Sequence, residues 1–160
     1  MEPASLAVIL DSSIIIAAER REHTVRQILE QVRAAQGEIS VSVVTIAELV
    51  HGAYRAKTQS SRIDGWSSSS DVPVHSVTLE IAPLAGRIEG QQEAKGVQLA
   101  FEDLLIGVTA LHLGYNVATL NVRDFQRVPA PVGRATLTTA AAESVSAASS
   151  PEGFPKRTAR

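Results

Sequence analysis

Residues Phe101 to Phe125 read FEDLLIGVTALHLGYNVATLNVRDF, and their order of helix, stop, short apolar run and polar pair decides the fold. The first half is apolar on nearly every helical face. Phe101, Leu104, Leu105, Val108 and Leu111 share one side and Ile106 and Leu113 another, which predicts a buried helix. It nevertheless begins with Glu102 and Asp103. Gly114 supplies a stop, Asn116 opens a run through Val117, Ala118 and Leu120, and that run halts at Asn121 and Asp124. In a parallel α/β unit the end of a strand and the start of the neighbouring helix share one edge of the sheet. Asp103 is therefore expected to meet Asn121 and Asp124, although a whole helix and strand separate them.

Working outward, Leu6 to Leu10 is a continuous apolar run that ends at Asp11, which predicts a buried strand exposing a carboxylate at its tip. Ser12 and Ser13 then open a helix through Ile14 to Ala18 that closes near Arg20 and Arg21. Standing alone, Asp11 reads equally well as the cap or first-turn charge of that helix. A second helix from Thr24 to Ala35 carries Val25, Ile28, Leu29 and Val32 at helical spacing, stops at Gly37, and reads as packing.

Ile39, Val41 and Val43 alternate as a short strand, and the chain turns helical near Ser42 to Thr45 and continues to about Ala56, with Ile46, Ala47, Val50 and Tyr54 as the expected buried stripe. Glu48 falls off that stripe, on the face of Thr45, His51, Gly52 and Arg55. A solvated glutamate is the plain reading, but neither the i+3 nor the i+4 position carries a lysine or arginine to support one. Residues 57–71 read as a surface excursion with a short helix around Ile63 and Trp66. Val72 to Val77 carries a brief strand, and Thr78 caps a helix holding Ile81, Leu84, Ala85 and Ile88 that ends by Gly96.

Strands alternating with helices of this length predict an α/β fold, a parallel sheet with helices on both sides. One domain over residues 1–135 is expected. The segment 136–160, rich in Ala, Ser and Thr, reads as a low-complexity tail, disordered or with one alanine-rich helix. Its Lys156, Arg157 and Arg160 read as a solvated terminus.

Composition excludes several classes. The chain of 160 residues has no cysteine, hence no disulfide framework and no thiolate nucleophile, and its four histidines are scattered rather than spaced as zinc ligands. No apolar run reaches the ~20 residues of a membrane span and no signal peptide is evident, so a cytoplasmic protein is expected. A net charge of -2 means that a polyanionic substrate needs a local basic patch or a bound cation.

The expected topology gathers Asp11, Glu48, Asp103 and the Asn121/Asp124 pair on one edge. Such a cluster repels itself, and a hard divalent cation such as magnesium or manganese relieves the repulsion, which suits phosphodiester hydrolysis. The expected ligands, direct or through water, are Asp11, Glu48, Asp103 and Asp124, with Thr119 and Asn121 orienting them. Glu102 could replace Asp103, and Asn121 could take a ligand position. Arg123 and Arg127 flank Asp124 and read either as phosphate contacts or as surface charge. A non-catalytic groove for a basic partner segment is the competing reading. A phosphoryl-transfer domain is disfavoured, because there is no GxxxxGK loop and no second aspartate two residues after Asp11.

Over Leu6 to Val128, the segments LDSSIII, TIAELVHGA and EDLLIGVTALHLGYNVATLNVRDFQRV resemble the PIN-domain ribonucleases, and among them the VapC-type toxins of toxin–antitoxin pairs. The resemblance implies a three-layer α/β/α sandwich with a central, mostly parallel sheet of four to five strands. It implies that Asp11, Glu48 and Asp103 bind magnesium or manganese, with a more variable fourth position at Asn121 or Asp124. It further implies an endoribonuclease acting on structured RNA such as transfer or ribosomal RNA, a homodimer, and inhibition by a VapB-type antitoxin whose tail occupies the acidic groove. The chain departs from the family pattern after Phe125, where Pro129, Ala130 and Pro131 leave only a weak strand expected near Val132.

Overall fold

The computed structural model describes residues 7–19, 25–55, 71–129 and 137–138. Five strands, β1 (Val8–Leu10), β2 (Ile39–Ser42), β3 (Val74–His75), β4 (Asn116–Ala118) and β5 (Leu137–Thr138), form one sheet in the order β3-β2-β1-β4-β5. Every pairing is parallel. The helices are α1 (Ser12–Glu19), α2 (Val25–Gln36), α3 (Val43–Arg55), α4 (Ile81–Glu93), α5 (Phe101–Leu113) and the single turn α6 (Val122–Phe125).

β1 occupies the middle because both of its faces are apolar. Val8 and Leu10 pack with Ile14 and Ile15 of α1, Leu29 and Val32 of α2 and Leu49 of α3. Ile9 points the other way, into Ile106 and Ala110 of α5 with Val117 and Phe125. Helices therefore cover both faces, as the three-layer expectation required. The α4 helix packs on α5 through Ile81, Ala85 and Ile88 against Leu104 and Val108. From β1 the chain adds β2 and β3 on one side and β4 and β5 on the other. This reversal makes the carboxyl end of β1 the switch point at which such sheets open a crevice.

Gly114 ends α5 as expected, at φ 71°, and the Tyr115 N–H bonds to the Ala110 carbonyl at 2.9 Å. Other expectations are corrected. Val43 belongs to α3 rather than to β2, within the span from Ser42 to Thr45 where the turn into the helix is expected, and the Ser42 hydroxyl accepts the Val44 N–H at 3.1 Å. The buried stripe of α3 is Thr45, Leu49 and Ala53, whereas Ala47 is exposed and Tyr54 is 73% exposed. Thr45 can face the core because its hydroxyl donates to the Leu10 carbonyl at 3.0 Å. Phe101, expected inside, is 55% exposed at the first residue of α5.

β5 falls after residue 135, so the sheet extends into the segment expected as tail; Val117↔Leu137 and Ala118↔Thr138 pair along the outer edge of β4, giving that edge's backbone groups partners. The expected helix around Ile63 and Trp66, the weak strand near Val132 and the chain beyond residue 138 lie outside the described residues. No helix among the described residues is long and apolar enough to cross a membrane.

Candidate active site

Leu10↔Ala118 is the last paired register between β1 and β4, and the Asp11 N–H continues the ladder to the Ala118 carbonyl at 2.9 Å. Asp11 and Thr119 consequently leave the sheet side by side. Asp11 is only 3% exposed. Its Oδ2 accepts the Ser13 hydroxyl at 2.6 Å, the Thr119 hydroxyl at 2.8 Å and, more weakly, the Ser13 N–H at 3.4 Å. Both hydroxyl oxygens in turn accept backbone N–H groups, Ser13 from Leu120 at 3.0 Å and Thr119 from Asn121 at 2.8 Å. A carboxylate taken out of water is tolerated when its oxygens are met by donors in this way.

Glu48 comes from the opposite flank of β1. Thr45, anchored to Leu10, fixes the first turn of α3 over the end of β1, and Glu48 follows three residues later on the same side. It is half-buried, and its Oε2 is buried with no hydrogen-bond partner among the described residues. Burial pushes its carboxyl up to about 7; a Ser12 hydrogen bond opposes the rise, and the charges of Asp11, Asp103 and Glu102 add to it.

Asp103 stands in the first turn of α5, on the other face of the sheet. A carboxylate there is favoured by the helix dipole, yet burial, followed by the charges of Asp11, Asp124 and Glu102, pushes it up to about 6. The Asn121 amide reaches two carboxylates, donating to Asp124 Oδ2 at 2.7 Å and, at the limit of a hydrogen bond, to Asp103 Oδ2 at 3.4 Å. Arg127 Nη1 lies 3.7 Å from Asp124 Oδ1 and also reaches the Gln98 carbonyl at 3.5 Å. Arg123 and Glu102 are exposed.

The carboxylates of Asp11, Glu48 and Asp103 thus feel one another's charge, while Asp124 couples to Asp103. Thr119 serves Asp11, and Asn121 serves Asp103 and Asp124. Sequence reasoning did not single out Ser12 and Ser13 as partners of Glu48 and Asp11; their signal was a hydroxyl pair directly after an acid at a strand end, which also reads as an ordinary helix start. Among the described residues, no three His, Cys, Asp or Glu side chains form a ready ligand set. The donors are all hard oxygens, the acids repel one another, and Glu48 Oε2 is unpartnered. These residues fit a hard divalent ion of the magnesium type, which commonly keeps several waters and takes one or two carboxylates.

A parallel α/β/α domain with acids from three elements within range of one another's charge near its switch point is the class that fold and site define. The chain belongs to the PIN-domain family, whose model, described as "PIN domain", matches residues 8–131. It is 28% identical over 127 residues to Ribonuclease VapC1 of Rickettsia felis, covering 77% of this chain and 91% of that protein. Among solved structures it is similar to VapBC2 from Rickettsia felis bound to a promoter DNA fragment, with a TM-score of 0.64, 21% identity, and coverage of 78% and 94%. It is also similar to VapBC-5 from Mycobacterium tuberculosis, a member of the VapBC family of toxin-antitoxin systems, with a TM-score of 0.61, 22% identity, and coverage of 82% and 97%.

Proposed function

We propose that this chain is a metal-dependent endoribonuclease, the toxin of a toxin–antitoxin pair, which hydrolyses RNA phosphodiesters in the cytoplasm using carboxylate-bound magnesium or manganese. The observation that supports the reading is that Asp11, Glu48 and Asp103, from three different elements, lie within range of one another's charge, with the Glu48 and Asp103 carboxyls pushed up by burial and by that charge. The relatives named ribonuclease and the VapBC structures support the activity and a VapB-type partner.

Asp11, Glu48 and Asp103 would hold the cation, with Asp124 joining directly or through water. When bound, the cation supplies positive charge that polarises a phosphoryl oxygen and activates a water for attack. The protein's share is organisation. Ser13 and Thr119 fix the Asp11 carboxylate, and Asn121 holds Asp124 and reaches Asp103. Glu48 and Asp103, whose carboxyls are pushed up in the cation-free protein, would bind the cation as carboxylates, so cation affinity would depend on pH. Arg123, exposed beside Asp124, and Arg127 are the candidate phosphate contacts. Transfer or ribosomal RNA is the proposed substrate class, the working form a homodimer, and the inhibitor a small antitoxin whose tail lies in the acidic groove.

Asp11→Asn and Asp103→Asn should each lower magnesium- or manganese-dependent RNA cleavage by at least about 100-fold while circular dichroism shows an intact fold. Wild-type cleavage rates in both variants would refute the assignment. A second reading, a non-catalytic module receiving a basic segment, rests on the same acids, since the unpartnered Glu48 Oε2 could equally accept from a partner's basic side chain. RNA or peptide binding that is insensitive to EDTA and leaves the RNA intact would favour that module.

A further inference from the structure

Ser13 touches both halves of the site. Its Oγ lies 2.6 Å from Asp11 Oδ2 and accepts the Leu120 N–H at 3.0 Å, tying the end of β1 to the loop that carries Asn121. A serine hydroxyl has one proton. With Leu120 donating to the oxygen, that proton is aimed at Asp11. Thr119 repeats the pattern, donating to the same Oδ2 and accepting the Asn121 N–H. The 3.3 Å approach of the Ser13 and Thr119 oxygens is then a contact between two groups whose protons are both committed to Asp11.

We infer that Ser13 is a positioning residue for the divalent cation: it fixes the Asp11 carboxylate through Oδ2 and keeps Asp11 in register with the Asn121 loop that reaches Asp103 and Asp124. This rests on the metal-dependent reading above. A purely structural role does not account for the hydroxyl. The start of α1 is served by Asp11 itself, whose carbonyl accepts the Ile14 N–H at 3.3 Å and whose Oδ2 receives the Ser13 N–H. Alanine also has the higher helix propensity at such a position. What the Ser13 side chain adds is the tie between Asp11 and the loop.

The test uses the full chain and Mn²⁺ alone, titrated by calorimetry into wild type, Ser13→Ala, Ser13→Thr and Asp11→Asn, with thermal unfolding in EDTA and amide exchange at Leu120 as companion measurements. Ser13→Ala should weaken Mn²⁺ binding about 10-fold or more, speed exchange at Leu120, and lower the EDTA melting temperature by only a few degrees, roughly the cost of one lost hydrogen bond. Ser13→Thr should restore affinity to within a few-fold. Should Ser13→Ala fail to fold, Ser13→Cys keeps the volume with a weaker donor and takes its place. Equal Mn²⁺ affinity in wild type and Ser13→Ala overturns the proposal, as does a threonine variant no better than alanine. A wild type that ignores Mn²⁺ removes the metal reading itself and this inference with it, an outcome distinguishable from the other two.

Discussion

The acids of the site sit on two unlike supports. Asp11 extends a central strand and meets, on the neighbouring strand's exit, a hydroxyl placed by the register Leu10↔Ala118. Glu48 and Asp103 ride on helices from opposite faces, with few donors close by, and both carboxyls are pushed up mainly by burial. Hydrogen bonds satisfy one side of the site in advance, whereas the other keeps unfavourable electrostatics that a bound cation would relieve. Strand geometry supplies rigidity, and helix placement supplies the demand for positive charge.

The sharpest way to break that contrast is to delete acids from each side. Asp11→Ala strips the Ser13 and Thr119 hydroxyls of their shared acceptor and should lower stability in EDTA by roughly 2 kcal/mol. Glu48→Gln removes a charge that costs free energy in the cation-free protein, so at pH 8 it should raise the melting temperature in EDTA. Both changes should reduce cleavage by about 100-fold or more. Thermal melts in which the two variants move in the same direction would erase the distinction.

The next effect is on pH. Glu48 rises from 4.5 to about 7 and Asp103 from 3.8 to about 6, so the folded state holds these protons more tightly than the unfolded state. The stabilising contribution is full below the unfolded values and is lost as pH climbs through about 6 for Asp103 and about 7 for Glu48. Solvent screening at these half-buried groups limits each contribution to the order of 1 kcal/mol. Melts in EDTA should therefore show stability falling between about pH 4 and about pH 7, on the order of 1 to 2 kcal/mol in total, and the Glu48→Gln/Asp103→Asn double variant should flatten this part of the profile. A related check is calorimetry of Mn²⁺ binding in buffers of different ionisation enthalpy, where more protons should be released at pH 6 than at pH 8.

These contrasts also explain what the primary structure disclosed. Asp11, Asp103 and Asn121 were legible because strand ends and helix starts fall on one edge in any parallel α/β unit, whatever the side-chain detail. The buried stripe of α3 was not legible: Thr45 displaced the expected apolar positions because Leu10 offered its carbonyl, a tertiary partner that periodicity cannot show. Phe101 misled for the opposite reason, since an apolar residue at a helix start carries no mark of whether a neighbouring element covers it. A sheet of four to five strands was expected, but the place of β5 at Leu137–Thr138 was not legible, because two residues suffice to extend a sheet when the partner strand supplies the register. Ser13 escaped notice because its partners are an acid two residues back and an amide in a loop more than 100 residues onward.

The smallest expected effect concerns how the Asp124 side of the site is held. Gly107, one turn after Asp103 on α5, admits a close neighbour, Val128 from the segment just past α6. A Cβ at Gly107 would lie 3.3 Å from both Val128 methyl carbons. The same segment is held from α4 by Gln92, whose Nε2 donates to the Arg127 carbonyl at 2.6 Å. Gly107→Ala should gain up to about 1 kcal/mol of helix propensity and lose a comparable or slightly larger amount to crowding, leaving stability within about 1 kcal/mol of wild type. Adding Val128→Ala removes the crowding but keeps the propensity gain, so the double variant should be more stable than the sum of the single changes by at least about 0.5 kcal/mol. Because the crowded segment begins four residues after Asp124, Gly107→Ala alone should also lower cleavage several-fold, and Val128→Ala should restore part of that loss. Strict additivity in both stability and cleavage would mean that the Gly107 contact does nothing to hold Asp124 in place.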